Sequence, residues 1–228
     1  MKRLLLLPIF LLLAGCNITT LNPKSDTASE QSFLIWFSFG LMMIVVVVVF
    51  VLFIRFFMKY RYTEAKKDFL PQDVHGNLKL EITWTVLPIL LLIILAVPTI
   101  AITYDQSPGP KSSEQQEHID VYVTAQQYLW TFKHENGKED RNKLVLPAGK
   151  PVVFHLKSKD VIHSFWVPAL GGKVDVLPGK ELTYQINNPQ KGSYEGKCAE
   201  YCGIGHGDMR FDAEVVAMDV YQQYLARE

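Results

Sequence analysis

Hydrophobic residues follow two different rhythms along this chain. In the first part they come in long runs: Leu4 to Ala14, Phe33 to Phe57 and Trp84 to Tyr104. The first run is short and follows Lys2-Arg3, the order of positive charge and apolar core that marks a secretory signal, here residues 1–15. The second is broken only by Ser38 and Gly40 before Arg55. It and the third are long enough to cross the bilayer core, which takes about 20 apolar residues in a helix. The pattern therefore predicts two transmembrane helices, 33–57 and 84–104. From Ile119 onward the rhythm changes to period two, with Ile119, Val121 and Val123 alternating with Asp120, Tyr122 and Thr124. Further strand-like stretches lie near 129–132, 152–157, 162–167, 182–186, 193–197 and 211–217, separated by Gly, Pro, Asn and Asp. Short strands so punctuated predict a β-sandwich over 118–228, with a short helix near 219–227.

The segments between these elements are polar. Residues 16–32 carry Pro23 and several Ser and Thr and are expected to form a tether, and Ser107-Pro108-Gly109-Pro110 opens a linker over 105–117. Lys59, Arg61, Lys66, Lys67 and Lys79 crowd the connection around 58–83, whereas Lys24 is the only basic residue between Cys16 and the first helix. The bias of basic residues toward the cytoplasmic side places that connection inside and both flanking segments outside. Pro88 and Pro98 lie within the second helix, which suits a membrane helix packed against protein. Trp84 and Tyr104 at its ends fit interfacial anchors.

At 228 residues and 49% hydrophobic content there is room for one compact domain besides the membrane segments. Lys plus Arg equals Asp plus Glu, 23 each, a balance that argues against nucleic acid as a partner. Cysteine occurs three times, and Cys16 stands apart from the other two. Leu13-Ala14-Gly15-Cys16 resembles a bacterial lipoprotein processing box, which implies cleavage before Cys16, lipidation of its thiol and an N-terminal anchor in the plasma membrane.

The richest stretch is Cys198-Ala-Glu-Tyr-Cys202-Gly-Ile-Gly-His206-Gly-Asp-Met209. Two thiols, an imidazole and a thioether within one short segment form a soft to borderline donor set, suited to copper or zinc. A disulfide between Cys198 and Cys202 is an alternative in an exported chain. Covalent haem attachment is excluded by the spacing. Zinc leaves Met209 without a purpose, since zinc sites are built from Cys, His and carboxylates. The other histidines, His75, His118, His134 and His155, have no ligand spacing around them and read as surface or packing residues.

The string C-x-E-x-C-G-x-x-H-x-x-M, together with Asp160-Val-Ile-His163-Ser-Phe-Trp-Val-Pro168, resembles the binuclear copper (CuA) subunit II of cytochrome c oxidase. The resemblance implies a two-helix membrane hairpin followed by an all-β, cupredoxin-like sandwich. It implies Cys198 and Cys202 as bridging thiolates, His163 and His206 as terminal ligands, and Met209 and the backbone carbonyl of Glu200 as axial ligands. The Glu200 side chain would then serve a magnesium or manganese ion at the boundary with subunit I, a hard cation suited to a carboxylate. Glu81-Ile-Thr-Trp84 resembles the start of the family's second helix, making Glu81 a proton-pathway candidate, and Gly172-Lys173-Val-Asp175 makes Asp175 a subunit-interface candidate. Gln127-Tyr128-Leu129-Trp130 resembles the aromatic stretch that receives electrons, although the family usually has Trp where Tyr128 stands, so Tyr128 and Trp130 are both electron-input candidates. Packing on a strand is the other reading of these two aromatics.

The implied partners are a haem-bearing subunit I with other oxidase subunits, membrane lipid, and cytochrome c as donor, since no c-type haem motif follows the domain. Catalytic oxygen chemistry is expected in the partner and not in this chain. Three other functions compete. A membrane-tethered copper metallochaperone would need βαβ patterning, a quinol-oxidase scaffold would have lost the ligand types, and a copper-bearing partner of a nitric oxide reductase would share them.

Overall fold

The computed structural model describes residues 18–68, 70, 73, 75–106 and 117–227. The signal segment, Cys16 and most of the 105–117 linker lie outside the described residues. The chain divides into a helical unit, residues 33–106, and a second unit that contains the β-sandwich together with residues 18–32.

Helices α1 (Asp26–Tyr60) and α2 (Leu78–Asp105) are both long and apolar enough to cross a membrane. No side chain of α2 is buried, as it would be in the core helix of a soluble protein. Both helices start before their apolar runs because a capping side chain, not hydropathy, sets the first turn. Ser25 Oγ accepts the N–H of Ala28 at 2.9 Å, and Asn77 Oδ1 accepts those of Lys79 and Leu80 at 3.1 and 3.3 Å. Lys59 lies in the last turn of α1, where a cation is favoured by the helix dipole.

Residues 18–32 are not a loose tether over the described part. Their polar groups pair with the sandwich: Lys24 N–H donates to Ala169 O at 2.8 Å, Gln190 N–H to Lys24 O at 2.8 Å, and Asp26 N–H to Asn187 O at 3.0 Å. The Ser25 hydroxyl donates to Leu170 O at 2.5 Å, and Ser25, Thr27, Ala28 and Ser32 are buried. Composition alone reads such a segment as solvated, because the partner carbonyls sit some 150 residues later in the sequence.

The sandwich has ten strands: β1 (Ile119–Gln126), β2 (Leu129–His134), β3 (Glu139–Arg141), β4 (Lys143–Pro147), β5 (Val152–Ser158), β6 (His163–Trp166), β7 (Val174–Val176), β8 (Glu181–Ile186), β9 (Gly192–Cys198) and β10 (Arg210–Val216). They form two five-stranded sheets, ordered β3-β2-β1-β5-β8 and β4-β10-β9-β6-β7. β1 runs parallel to β5 and β4 parallel to β10, and the other pairs are antiparallel. The strands that the pattern misses are β3 and β7, too short to alternate, and β4, whose Leu144-Val-Leu-Pro147 is buried throughout and so has no polar phase.

Inward positions of both sheets meet in an aromatic core of Trp130, Phe132, Phe154, Phe165 and Phe211. Phe165 stacks on Phe211 at 5.3 Å between ring centroids. That stack needs Gly196, where a Cβ would lie 2.0 Å from the Phe211 ring. Helix α3 (Met218–Leu225) closes one side, with Tyr221 and Tyr224 both directed at the buried His134.

Candidate metal centre

β6 and β9 are antiparallel neighbours with Phe165 opposite Cys198, so His163, two residues from Phe165 on the same face, stands beside Cys198. β9 and β10 are paired with Lys197 opposite Arg210, which forces 199–209 to leave and return at one point. The hydrogen bond from Cys198 N–H to Met209 O, 2.9 Å, closes that loop at its base. Within it a short 3₁₀ turn, His206–Asp208, carries the second imidazole back toward the sulfurs.

The two cysteines are free and buried, with their Sγ atoms 3.8 Å apart. Cys198 Sγ lies 3.9 Å from His163 Nδ1 and 3.2 Å from the Glu200 carbonyl oxygen. Cys202 Sγ lies 3.6 Å from His206 Nδ1 and 3.7 Å from Met209 Sδ. Among the described residues, His163, Cys198 and Cys202 are the one group of His, Cys and carboxylate side chains close enough together to hold a metal ion. Every donor expected from the sequence for the copper loop, including the Glu200 carbonyl, therefore meets at the two sulfurs.

The surroundings fix these donors. His163 has no exposed surface, and its Nε2 faces Asp160 Oδ1 at 2.8 Å. A carboxylate on the far nitrogen sets the tautomer and leaves Nδ1 as the donor toward the sulfurs. Asp160 also accepts the N–H groups of Gln127 and Val161, each at 2.7 Å. Burial alone would raise the carboxyl of Asp160, but these donors and His163 outweigh it and hold its pKa below the usual value. Gln127 Nε2 donates to Cys202 O at 2.7 Å, tying β1 to the loop. Burial and the adjacent Cys198 push the Cys202 thiol up to about 11, so without a cation it is protonated at neutral pH. Two buried thiols, two imidazoles, a thioether and a carbonyl oxygen form a donor set that fits copper in softness and in count.

The remaining candidates distribute as follows. Tyr128 is 38% exposed and lies over the ligand loop, where a Cβ on Gly205 would come within 2.6 Å of its ring. Trp130 is fully buried, its Nε1 donates to Met209 O at 3.4 Å, and its ring centroid is 6.1 Å from that of His163. It stands behind the site, so of the two aromatics Tyr128 alone reaches solvent; the alternation that buries Phe132 and His134 on β2 buries Trp130 with them. Asp175 and Glu200 share Lys173, whose Nζ is 3.2 Å from Asp175 Oδ1 and 3.6 Å from Glu200 Oε2. Glu81 sits in the exposed first turn of α2. Asp160, Gln127 and Lys173 were not singled out from sequence, although Asp160 and Gln127 flank motif residues and a polar side chain next to a ligand is the usual orienting group.

Comparison with known proteins follows the same division. Residues 18–102 match the family described as cytochrome C oxidase subunit II, transmembrane domain, and residues 112–216 match its periplasmic domain. Cytochrome c oxidase subunit 2 of Alkalihalophilus pseudofirmus is 41% identical over 94% of this chain, which spans 64% of that protein's length. Quinol oxidase subunit 2 of Bacillus cereus is 35% identical over 99% of this chain, which spans 78% of that protein. The periplasmic domain of cytochrome oxidase subunit II from Bradyrhizobium japonicum is 27% identical over 47% of this chain and 90% of its own, with a TM-score of 0.45. Two apolar helices, a β-sandwich and relatives that match nearly the whole of this chain leave one assignment: the chain belongs to the cytochrome c oxidase subunit II family and is a membrane-bound subunit II of a haem–copper oxidase.

Proposed function

We propose that this subunit accepts electrons from cytochrome c at a binuclear copper (CuA) centre and passes them to haem in subunit I, where oxygen is reduced to water. The observation that carries this reading is the convergence of Glu200 O, His163, His206 and Met209 on two unpaired thiols. Copper held there by Cys198, Cys202, His163, His206, Met209 and the Glu200 carbonyl would supply a one-electron couple. The protein's part is to hold the donors still: His163 and Cys198 stand on paired strands and Asp160 locks the imidazole ring. Tyr128, over the loop and open to solvent, is the electron-input residue on this reading. The Glu200 side chain would bind magnesium or manganese at the subunit I boundary, Asp175 would lie at the subunit interface, and Glu81 would serve a proton pathway. The sandwich would lie on the outer side of a bacterial plasma membrane, with a lipid anchor at Cys16.

Quinol oxidase relatives make the donor the point to test. The presence of the whole ligand set favours cytochrome c over quinol, and a copper-bearing partner of a nitric oxide reductase remains the alternative acceptor complex. Copper counting and electron paramagnetic resonance on the complex purified from membranes separate these readings. Two coppers per chain with one spin shared between them, and a co-purifying large subunit with haem that consumes oxygen, support the proposal. A single labile copper points to a metallochaperone, and a copper-free chain oxidising quinol points to the scaffold.

A further inference from the structure

His163 stands on a strand and is held by Asp160, whereas His206 sits on a short, partly exposed 3₁₀ turn of the ligand loop. The N–H groups of His206, Asp208 and Met209 close that turn on the carbonyls of Gly203, Gly205 and His206 at 3.0, 3.1 and 3.2 Å. The Gly207 carbonyl, between the two donors His206 and Met209, takes a side chain instead. Arg210 Nε donates to it at 3.1 Å. The other arm of the same guanidinium, Nη1, donates to Glu195 Oε1 at 2.7 Å. Glu195 is on β9, three residues before Cys198. One planar fork therefore joins the turn that carries His206 to the strand that carries Cys198.

The register of the sheet directs Arg210 to this place. Across β9 and β10, Arg210 stands opposite Lys197 and Asp212 opposite Glu195, and like charges directly opposite each other are unfavourable. Lys197 relieves the first pair by turning to Trp166, its register partner on β6, with Nζ 4.8 Å from the ring centroid. Arg210 relieves the second by reaching diagonally to Glu195. Arg210 and Glu195 are 60% and 57% exposed, so solvent screens their charges and the pair adds little to global stability. Its leverage is geometric, because Gly207 adjoins His206 and lies two residues before Met209. A lysine at this position would bring the charge but only one point of attachment, where the guanidinium offers a rigid fork. We propose that Arg210, held by Glu195, is a positioning residue for His206 and Met209 that slows the release of copper from the ligand loop. The inference rests on the copper reading of the site.

The test uses the full-length protein in detergent. Without metal, amide hydrogen exchange over residues 206–209 should be about tenfold faster in Arg210→Gln than in the parent, from the loss of a charge-assisted hydrogen bond. The melting temperature of the sandwich, to which an exposed pair contributes little, should not change. After copper loading, a chelator should strip Arg210→Gln about tenfold faster, the lower end of the usual cost of a lost ligand support, and the copper resonance should show altered imidazole nitrogen coupling. Arg210→Lys should behave like Arg210→Gln. Glu195→Ala, which removes no group of the loop, should act in the same direction, and the double variant should be no worse than Arg210→Gln alone, since the two side chains work as one unit. Parental exchange and stripping rates in Arg210→Gln would overturn the proposal, as would rescue by Arg210→Lys or effects that multiply in the double variant. The exchange comparison needs no metal, so a parent that takes up no copper removes the copper reading of the site, while the hold of Arg210 on the turn is decided by exchange.

Discussion

The Nε2 atom of His163 is 2.8 Å from Asp160 Oδ1, with no solvent reaching the imidazole. The same carboxylate takes two backbone N–H groups, from Gln127 and Val161. One side chain thus orients a candidate metal donor and anchors the turn that presents it. Asp160→Asn keeps the shape and one acceptor oxygen but loses the charge. Copper affinity should fall by about 10- to 100-fold, the usual cost of removing an orienting partner from a metal-bound histidine. Competition with a chelator measures it. Asp160→Ala should in addition lower stability by about 1–3 kcal/mol by leaving backbone donors unpaired, read as an earlier denaturant midpoint. Unchanged copper affinity in Asp160→Asn would remove Asp160 from the site.

Copper uptake should depend on pH through Cys202. Its thiol is pushed up to about 11 by burial and by Cys198 beside it, so loading at neutral pH must expel that proton. Affinity should therefore rise with pH by at least about one decade per unit between pH 6 and 8, in a chelator competition corrected for the chelator's own protonation. Cys202→Ser, which removes the titrating thiol, should lose the shared-spin signal, whereas membrane insertion, which depends on α1 and α2, should persist. His163→Ala should likewise abolish donor oxidation.

Much of this site is local in sequence, which is why it can be read without a structure. Five of its donors fall within Cys198–Met209, and the paired strands β9 and β10 only have to bring the ends of that stretch together. His163 is different, since its place beside Cys198 depends on the pairing of β6 with β9. A pattern of alternation cannot supply that pairing; the motif resemblance does. Residues 18–32 failed the compositional reading because their hydrogen-bond partners are the carbonyls of Ala169, Leu170 and Asn187. Trp130 could have been placed inward from its phase with Phe132, yet Tyr128 lies beyond the start of β2 and has no phase to read.

Tyr128 offers a sharper division between structure and electron flow. Its ring covers Gly203 and Gly205 of the ligand loop while part of it faces solvent. Tyr128→Ala should slow cytochrome c oxidation at least tenfold with the copper resonance intact, and Tyr128→Trp should restore it. A loss of copper signal in Tyr128→Ala would instead make the ring a packing element of the loop. Gly205→Ala drives a methyl group to 2.6 Å from the ring and should displace it, at a cost of about 1–3 kcal/mol for an overpacked contact.

Acid should weaken the sandwich through His134. Its Nδ1 is 2.9 Å from the Tyr221 hydroxyl and its Nε2 is 3.4 Å from that of Tyr224, which also donates to Asp140. Burial drives the imidazole pKa down to about 4, against the pull of Asp140 in the other direction. An unfolded histidine titrates near 6.5, so between about pH 6.5 and 4 the unfolded chain binds the extra proton. The stability is fully present above about pH 6.5 and is lost as pH falls toward 4, by up to about 3 kcal/mol. Because the pair Tyr221 and Tyr224 hangs on this ring, α3 should loosen first, seen as faster hydrogen exchange over Met218–Leu225 at pH 5 than at pH 7 after correction for intrinsic rates. His134→Gln, which does not titrate, should flatten the pH dependence of the melting temperature over this window. A variant as acid-sensitive as the parent would transfer the effect to another group.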